Sequence, residues 1–67
     1  MSYRNILERF CRYRGYELSL INGKWYIVDG SFVYTITLRL YREIVETLET
    51  NGKEAWFNID LLDWRPL

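Results

Sequence analysis

Residues 16–36 read Tyr16-Glu-Leu-Ser-Leu-Ile21, Asn22-Gly23, Lys24-Trp-Tyr-Ile-Val28, Asp29-Gly30, Ser31-Phe-Val-Tyr-Thr-Ile36. Three apolar runs are separated by Asn-Gly and Asp-Gly, the strongest short hairpin signals, because a type I′ turn needs positive φ at both central residues. Two such pairs in succession predict a three-stranded antiparallel meander. A two-residue Asn22-Gly23 turn pairs Ile21 with Lys24, Leu20 with Trp25 and Leu18 with Ile27. A two-residue Asp29-Gly30 turn pairs Ile27 with Phe32 and Trp25 with Tyr34. Both turns then place Leu18, Leu20, Trp25, Ile27, Phe32, Tyr34 and Ile36 on one face. Glu17, Ser19, Tyr26, Val28, Val33 and Thr35 fall on the other.

Helical periodicity flanks the meander. Upstream, Tyr3, Ile6, Leu7, Phe10 and Tyr13 recur at three- and four-residue spacing, which predicts an amphipathic helix over residues 3–14. Ser2 is placed to cap its start and Gly15 to end it. Arg4, Glu8, Arg9 and Arg12 lie on its polar face, with Glu8 and Arg12 in the favourable i, i+4 order. Downstream, Thr37 is a cap for a second helix that buries Leu40, Tyr41, Ile44, Val45 and Leu48 and stops at Asn51-Gly52. This helix carries Arg39 and Arg42 early and Glu46 and Glu49 late, against its dipole. Glutamates facing the arginines of helix one would explain that order.

Residues 54–61 alternate, with Ala55, Phe57, Ile59 and Leu61 on one side, and predict a fourth strand. A crossover through helix two makes it parallel to strand three, docked beside strand one in the order 3-2-1-4. Asp63-Trp-Arg-Pro-Leu67 reads as a tail, because Pro66 has no amide to donate. The expected architecture is a single α+β domain over residues 1–67, of order αβββαβ, with both helices on the Trp25 face.

At 67 residues, such a domain buries only about 60% of its unfolded surface. A lone cysteine, Cys11, rules out an internal disulfide, and there is no histidine to seed a metal site. Stability therefore falls to a dense aromatic core, drawn from three Trp, six Tyr and three Phe, or to oligomerisation. An unpaired thiol fits a reducing cytoplasmic setting. The first residues hold no apolar run of signal-peptide or membrane-span length. Net charge is zero, which opposes gross attraction to nucleic acid or anionic membrane. The charge is nonetheless polarised along the chain. Residues 1–24 hold five cations against two carboxylates, and residues 43–63 hold six carboxylates against one cation.

Catalysis finds little support. The commonest general base is missing, and none of the three serines sits in a nucleophile elbow. Cys11 lies in the C-terminal half of its helix, away from the end that activates a thiolate. Asp60 and Asp63 form no metal motif with a third ligand, and the four glycines are explained as turns or caps. No catalytic residue, metal or cofactor is expected.

The element order helix, three strands, helix resembles that of double-stranded-RNA-binding domains. Those domains carry a Gly-Pro-x-His loop and a lysine cluster opening the last helix, where this chain has Asn22-Gly23 and Leu38-Arg-Leu-Tyr-Arg42. Arg39 and Arg42 alone stand in for the cluster. Together with Arg9 and Arg12 of helix one, they form the candidate nucleic-acid surface. The meander's second face offers the sharper clue. It sets Tyr26, Val28 and Val33 where a solvated sheet alternates to polar residues, with Trp56 joining from the fourth strand. Exposed apolar patches mark interaction surfaces, and Tyr and Trp dominate their hot spots. The expectation is a non-enzymatic protein–protein interaction module, an adaptor, inhibitor or small subunit. Tyr26, Val28, Val33 and Trp56 would be its contacts and the helix-one arginines its rim. It would self-associate as a homodimer through this face or the strand-three edge.

Overall fold

A computed structural model describes residues 3–67. The order is α1 (Tyr3–Arg14), β1 (Glu17–Ile21), β2 (Lys24–Asp29), β3 (Phe32–Thr35), α2 (Leu38–Asn51), a 3₁₀ helix (Lys53–Asn58) and β4 (Arg65–Pro66). The fold is α+β, with a four-stranded antiparallel sheet in the order β1-β2-β3-β4. The Ser2 cap lies outside the described residues. Among those described, no helix is long and apolar enough to cross a membrane.

Local chemistry sets the element ends. At the end of α1, the Tyr16 amide donates to Cys11 O at 2.7 Å and the Gly15 amide to Arg12 O at 3.3 Å. These are the two bonds of a Schellman motif, made possible by φ +79° at Gly15. Thr37 Oγ1 caps α2 by accepting from the Leu40 amide at 3.1 Å. On α1, Glu8 takes Arg4 as its partner, at 2.9 Å, rather than Arg12. Glu46 and Glu49 are exposed, and among the described residues no ion pair joins them to Arg4 or Arg12.

The first turn is as expected, with φ 51° at Asn22 and 81° at Gly23 and Ile21 opposite Lys24. The second turn is displaced by one residue. Gly30-Ser31 is its centre, so Asp29 opposes Phe32 and Ile27 opposes Tyr34. Only Gly30 takes positive φ there, as a type II′ hairpin requires, whereas an Asp-Gly type I′ turn forces Asp29 into the left-handed region as well. The ladder slips by two residues as a result. An even slip keeps every side chain on its face, so the division into core and outer faces survives the wrong register.

The fourth strand departs further from expectation. Residues 53–58 form a 3₁₀ helix instead of a strand, and β4 is the tail, paired antiparallel to β3 through Phe32↔Pro66 and Val33↔Arg65. The order 3-2-1-4 is thereby replaced by β1-β2-β3-β4. The alternation of Ala55, Phe57, Ile59 and Leu61 competed with Trp56, the bulkiest side chain in the segment, which a strand of that register would expel. In a 3₁₀ helix, i and i+3 lie on one side, so Trp56 and Ile59 both turn inward. Phe57 turns out and is 59% exposed. Pro66 is tolerated because β4 is an edge strand. Leu67 adds a backbone bond to Ser31 O at 2.7 Å. The tail therefore pairs with Phe32 and Val33 on the β3 edge proposed for self-association, and the edge strands of the sheet are β1 and the two-residue β4.

The core lies between the Ile27 face and the two helices. It contains Ile6, Leu7, Phe10 and Cys11 of α1, Ile27 of β2, Leu40 and Ile44 of α2, and Trp56, Ile59 and Leu61 of the last segment. Phe10 meets Trp56 edge-to-face at 5.5 Å. The Trp64 ring rests against Tyr16 and Tyr34, at 5.4 and 5.5 Å, on this same side of the sheet. Leu20 and Phe32, beside the two turns, remain about half exposed.

Candidate functional site

The outer sheet face follows from the register. Val28 stands opposite Val33 on one side and Glu17 on the other, and Tyr26 stands between Ser19 and Thr35. Val33 in turn opposes Arg65 of β4. Tyr26, Val28 and Val33 are half-buried by one another and their cross-strand neighbours. The tail lengthens the sheet at its edge instead of crossing this face, since Trp64 packs on the opposite side. A shallow groove of about 310 Å³ runs over the face, with Tyr26 and Val33 in its floor and Arg65 and Leu67 at its margin.

The fourth expected contact, Trp56, is elsewhere. It is 1% exposed in the core, and its indole N–H donates to Ile44 O at 3.0 Å. Burying an indole leaves its donor to be satisfied, and the α2 carbonyl does so. The helix-one arginines likewise do not rim the outer face, because α1 packs against the Ile27 side. By register, Glu17, Lys24 and Arg65 supply the charges there.

Arg14 has a different task from the other α1 arginines. Its guanidinium donates to the carbonyls of Trp56 and Ile59 and to the Tyr16 hydroxyl. It also lies 5.5–5.7 Å from the Phe10, Tyr16 and Phe57 rings. The side chain ties the end of α1 to the 3₁₀ segment. Nothing in the spacing of Arg14 marked this out, because both carbonyl acceptors are more than forty residues away.

The four arginines of the nucleic-acid surface divide into two sites. Arg9 and Arg12 line a concavity of about 380 Å³ with Tyr13, Lys53 and Trp56. Arg39 and Arg42 line another, of about 570 Å³, together with Glu43 and Glu46 on the outer side of α2. Arg39 and Arg42 thus share their concavity with carboxylates, whereas Arg9 and Arg12 are joined by a third cation. Lys53 Nζ sits 5.4 Å from the Tyr13 ring centre.

Cys11 is 2% exposed, and its thiol is pushed up to about 12 by burial, with the Glu8 carboxylate adding to the rise. It carries no thiolate at neutral pH and behaves as a small apolar core residue. Asp60 and Asp63 are exposed, with Asp63 lying 3.9 Å from Arg65. Among the described residues, no three His, Cys, Asp or Glu side chains are grouped to hold a metal ion. Compared with protein-family models, curated proteins and solved structures, the chain matches none.

Proposed function

We propose that this chain is a small, non-enzymatic protein–protein interaction module of the cytoplasm that docks through its outer sheet face and pairs there with a second copy of itself. The observation that carries this reading is the Tyr26–Val28–Val33 patch. It occupies the middle of a sheet whose other face is already covered, and among the described residues no element packs over it. Aromatic and β-branched residues in the centre, with Glu17, Lys24 and Arg65 around them, follow the core-and-rim pattern of protein interfaces. The open β1 edge adds a row of backbone donors and acceptors beside the patch. A domain of this size gains apolar burial by association that it cannot find internally.

Sedimentation velocity over a range of concentrations tests the proposal, comparing the native chain with Tyr26→Glu. The native chain is expected to show a concentration-dependent shift toward dimer, and the variant to remain monomeric with unchanged far-UV circular dichroism. A native chain that is monomeric throughout removes the homodimer. A Tyr26→Glu variant that dimerises like the native chain moves the interface off this face.

A further inference from the structure

The concavity between α1 and the 3₁₀ helix has a composition that neither core packing nor the outer-face interface requires. Arg9, Arg12 and Lys53 converge on it, and none of its lining residues is acidic. The nearest carboxylate on α1, Glu8, is engaged by Arg4 on the same helix. Aromatic rings adjoin the cations. Tyr13 forms one wall, and its ring lies 5.1 Å from that of Phe57, which is 59% exposed although the core lies alongside it. Exposing Phe57 is the cost of turning Trp56 inward. The outcome is an exposed apolar ring beside Tyr13, the wall residue that Lys53 also approaches, with the Arg14 guanidinium 5.5 Å from its centre.

Clustered cations beside accessible rings match the chemistry of a single-stranded nucleic acid. Its phosphates need positive charge along a groove, and its unpaired bases stack on aromatic faces without regard to sequence. A duplex offers no such bases, and a phosphorylated peptide would use the cations but leave the ring without a purpose. The geometry points to a binding groove for single-stranded nucleic acid on the α1–3₁₀ face, in which Arg9, Arg12 and Lys53 hold phosphates and Phe57, backed by Tyr13, stacks a base. This groove lies on the side of the sheet opposite the Tyr26 patch, so the two surfaces act independently. It also keeps Arg9 and Arg12 as nucleic-acid ligands while replacing Arg39 and Arg42 with Lys53.

Because the chain as a whole is neutral, attraction is local and the salt response reports how many phosphates are held. Three contacts to a single strand give a slope of log K against log salt of about −2, or roughly a hundredfold weakening over a tenfold rise in salt. The experiment is fluorescence anisotropy of a labelled oligothymidylate of about twelve nucleotides, titrated at several salt concentrations. Saturable binding with that slope is expected. Arg12→Gln and Lys53→Gln should each weaken binding and reduce the slope by about 0.7. Phe57→Ala should weaken binding about fivefold or more and leave the slope unchanged. Arg42→Gln, which removes the same charge from α2, should change neither. Absence of saturable binding at the lowest salt overturns the proposal. So does an Arg42→Gln effect equal to that of Arg12→Gln, or a duplex that binds as tightly as the single strand.

Discussion

Cys11 illustrates how far a single side chain is shaped by its surroundings. The thiol sits in the core beside Ile6, Leu7 and Phe10, where a thiolate would be poorly solvated and repelled by Glu8. Its folded value of about 12 exceeds the ordinary 9.0, so the folded state holds its proton more tightly than the unfolded state. The stability this confers is complete below pH 9.0 and is lost as pH rises toward 12. Cys11→Ala should therefore lose less stability than the native chain between those limits in urea melts. Parallel losses would mean that Cys11 titrates as it does in the unfolded chain. Trp56 shows a second residue-scale effect. Its indole is buried because an acceptor, Ile44 O, is waiting for the N–H, and an acceptor that lies on another element is invisible to a periodicity argument.

Among the elements, α1, β1, β2 and α2 were legible because their limits are written locally. The Thr37 cap, the Gly15 and Gly52 stops, and the Asn22-Gly23 turn each act within a few residues. The β2–β3 register was legible only to parity. Asp29-Gly30 and Gly30-Ser31 are both acceptable turn centres, and cross-strand pairing decides between them. The segment after Gly52 was not legible, because period-two alternation in a run this short also accommodates a 3₁₀ turn. Its position is set from outside, by Arg14. Removing that guanidinium takes the side-chain donor from Ile59 O, leaves Trp56 O with the Ile59 amide alone, and breaks charge-assisted bonds worth about 1.5–3 kcal/mol each, less any replaced by water. Arg14→Met, which keeps much of the apolar stem, should destabilise the fold by about 2 kcal/mol or more, read as a lower urea midpoint at unchanged m value. A loss under about 0.5 kcal/mol, the level of an ordinary surface substitution, would show that the 3₁₀ helix docks without it.

At the scale of the molecule, the sequence separated the two faces of the sheet but not the surfaces around them. Tyr26, Val28 and Val33 are where alternation puts them, on the uncovered side. The cationic groove was half visible, since Arg9 and Arg12 are local to α1, whereas Lys53 joins them, and Phe57 comes beside Tyr13, only through the 3₁₀ geometry. The same geometry has a kinetic consequence. The meander and the two helices form largely from contacts between sequence neighbours, which close quickly. The Arg14 clamp spans 42 and 45 residues and must await the rest. Folding should then be limited by assembly of α1 on the meander, with the final segment docking after the barrier. In stopped-flow chevrons, Ile27→Val is expected to slow folding, while Ile59→Val mainly speeds unfolding. Equal slowing by both would place the last segment inside the nucleus. If Ile59 acts late, the stretch after Gly52 governs how long the native state lasts while contributing little to how fast it is reached, and its lifetime can be tuned there independently of its rate of formation.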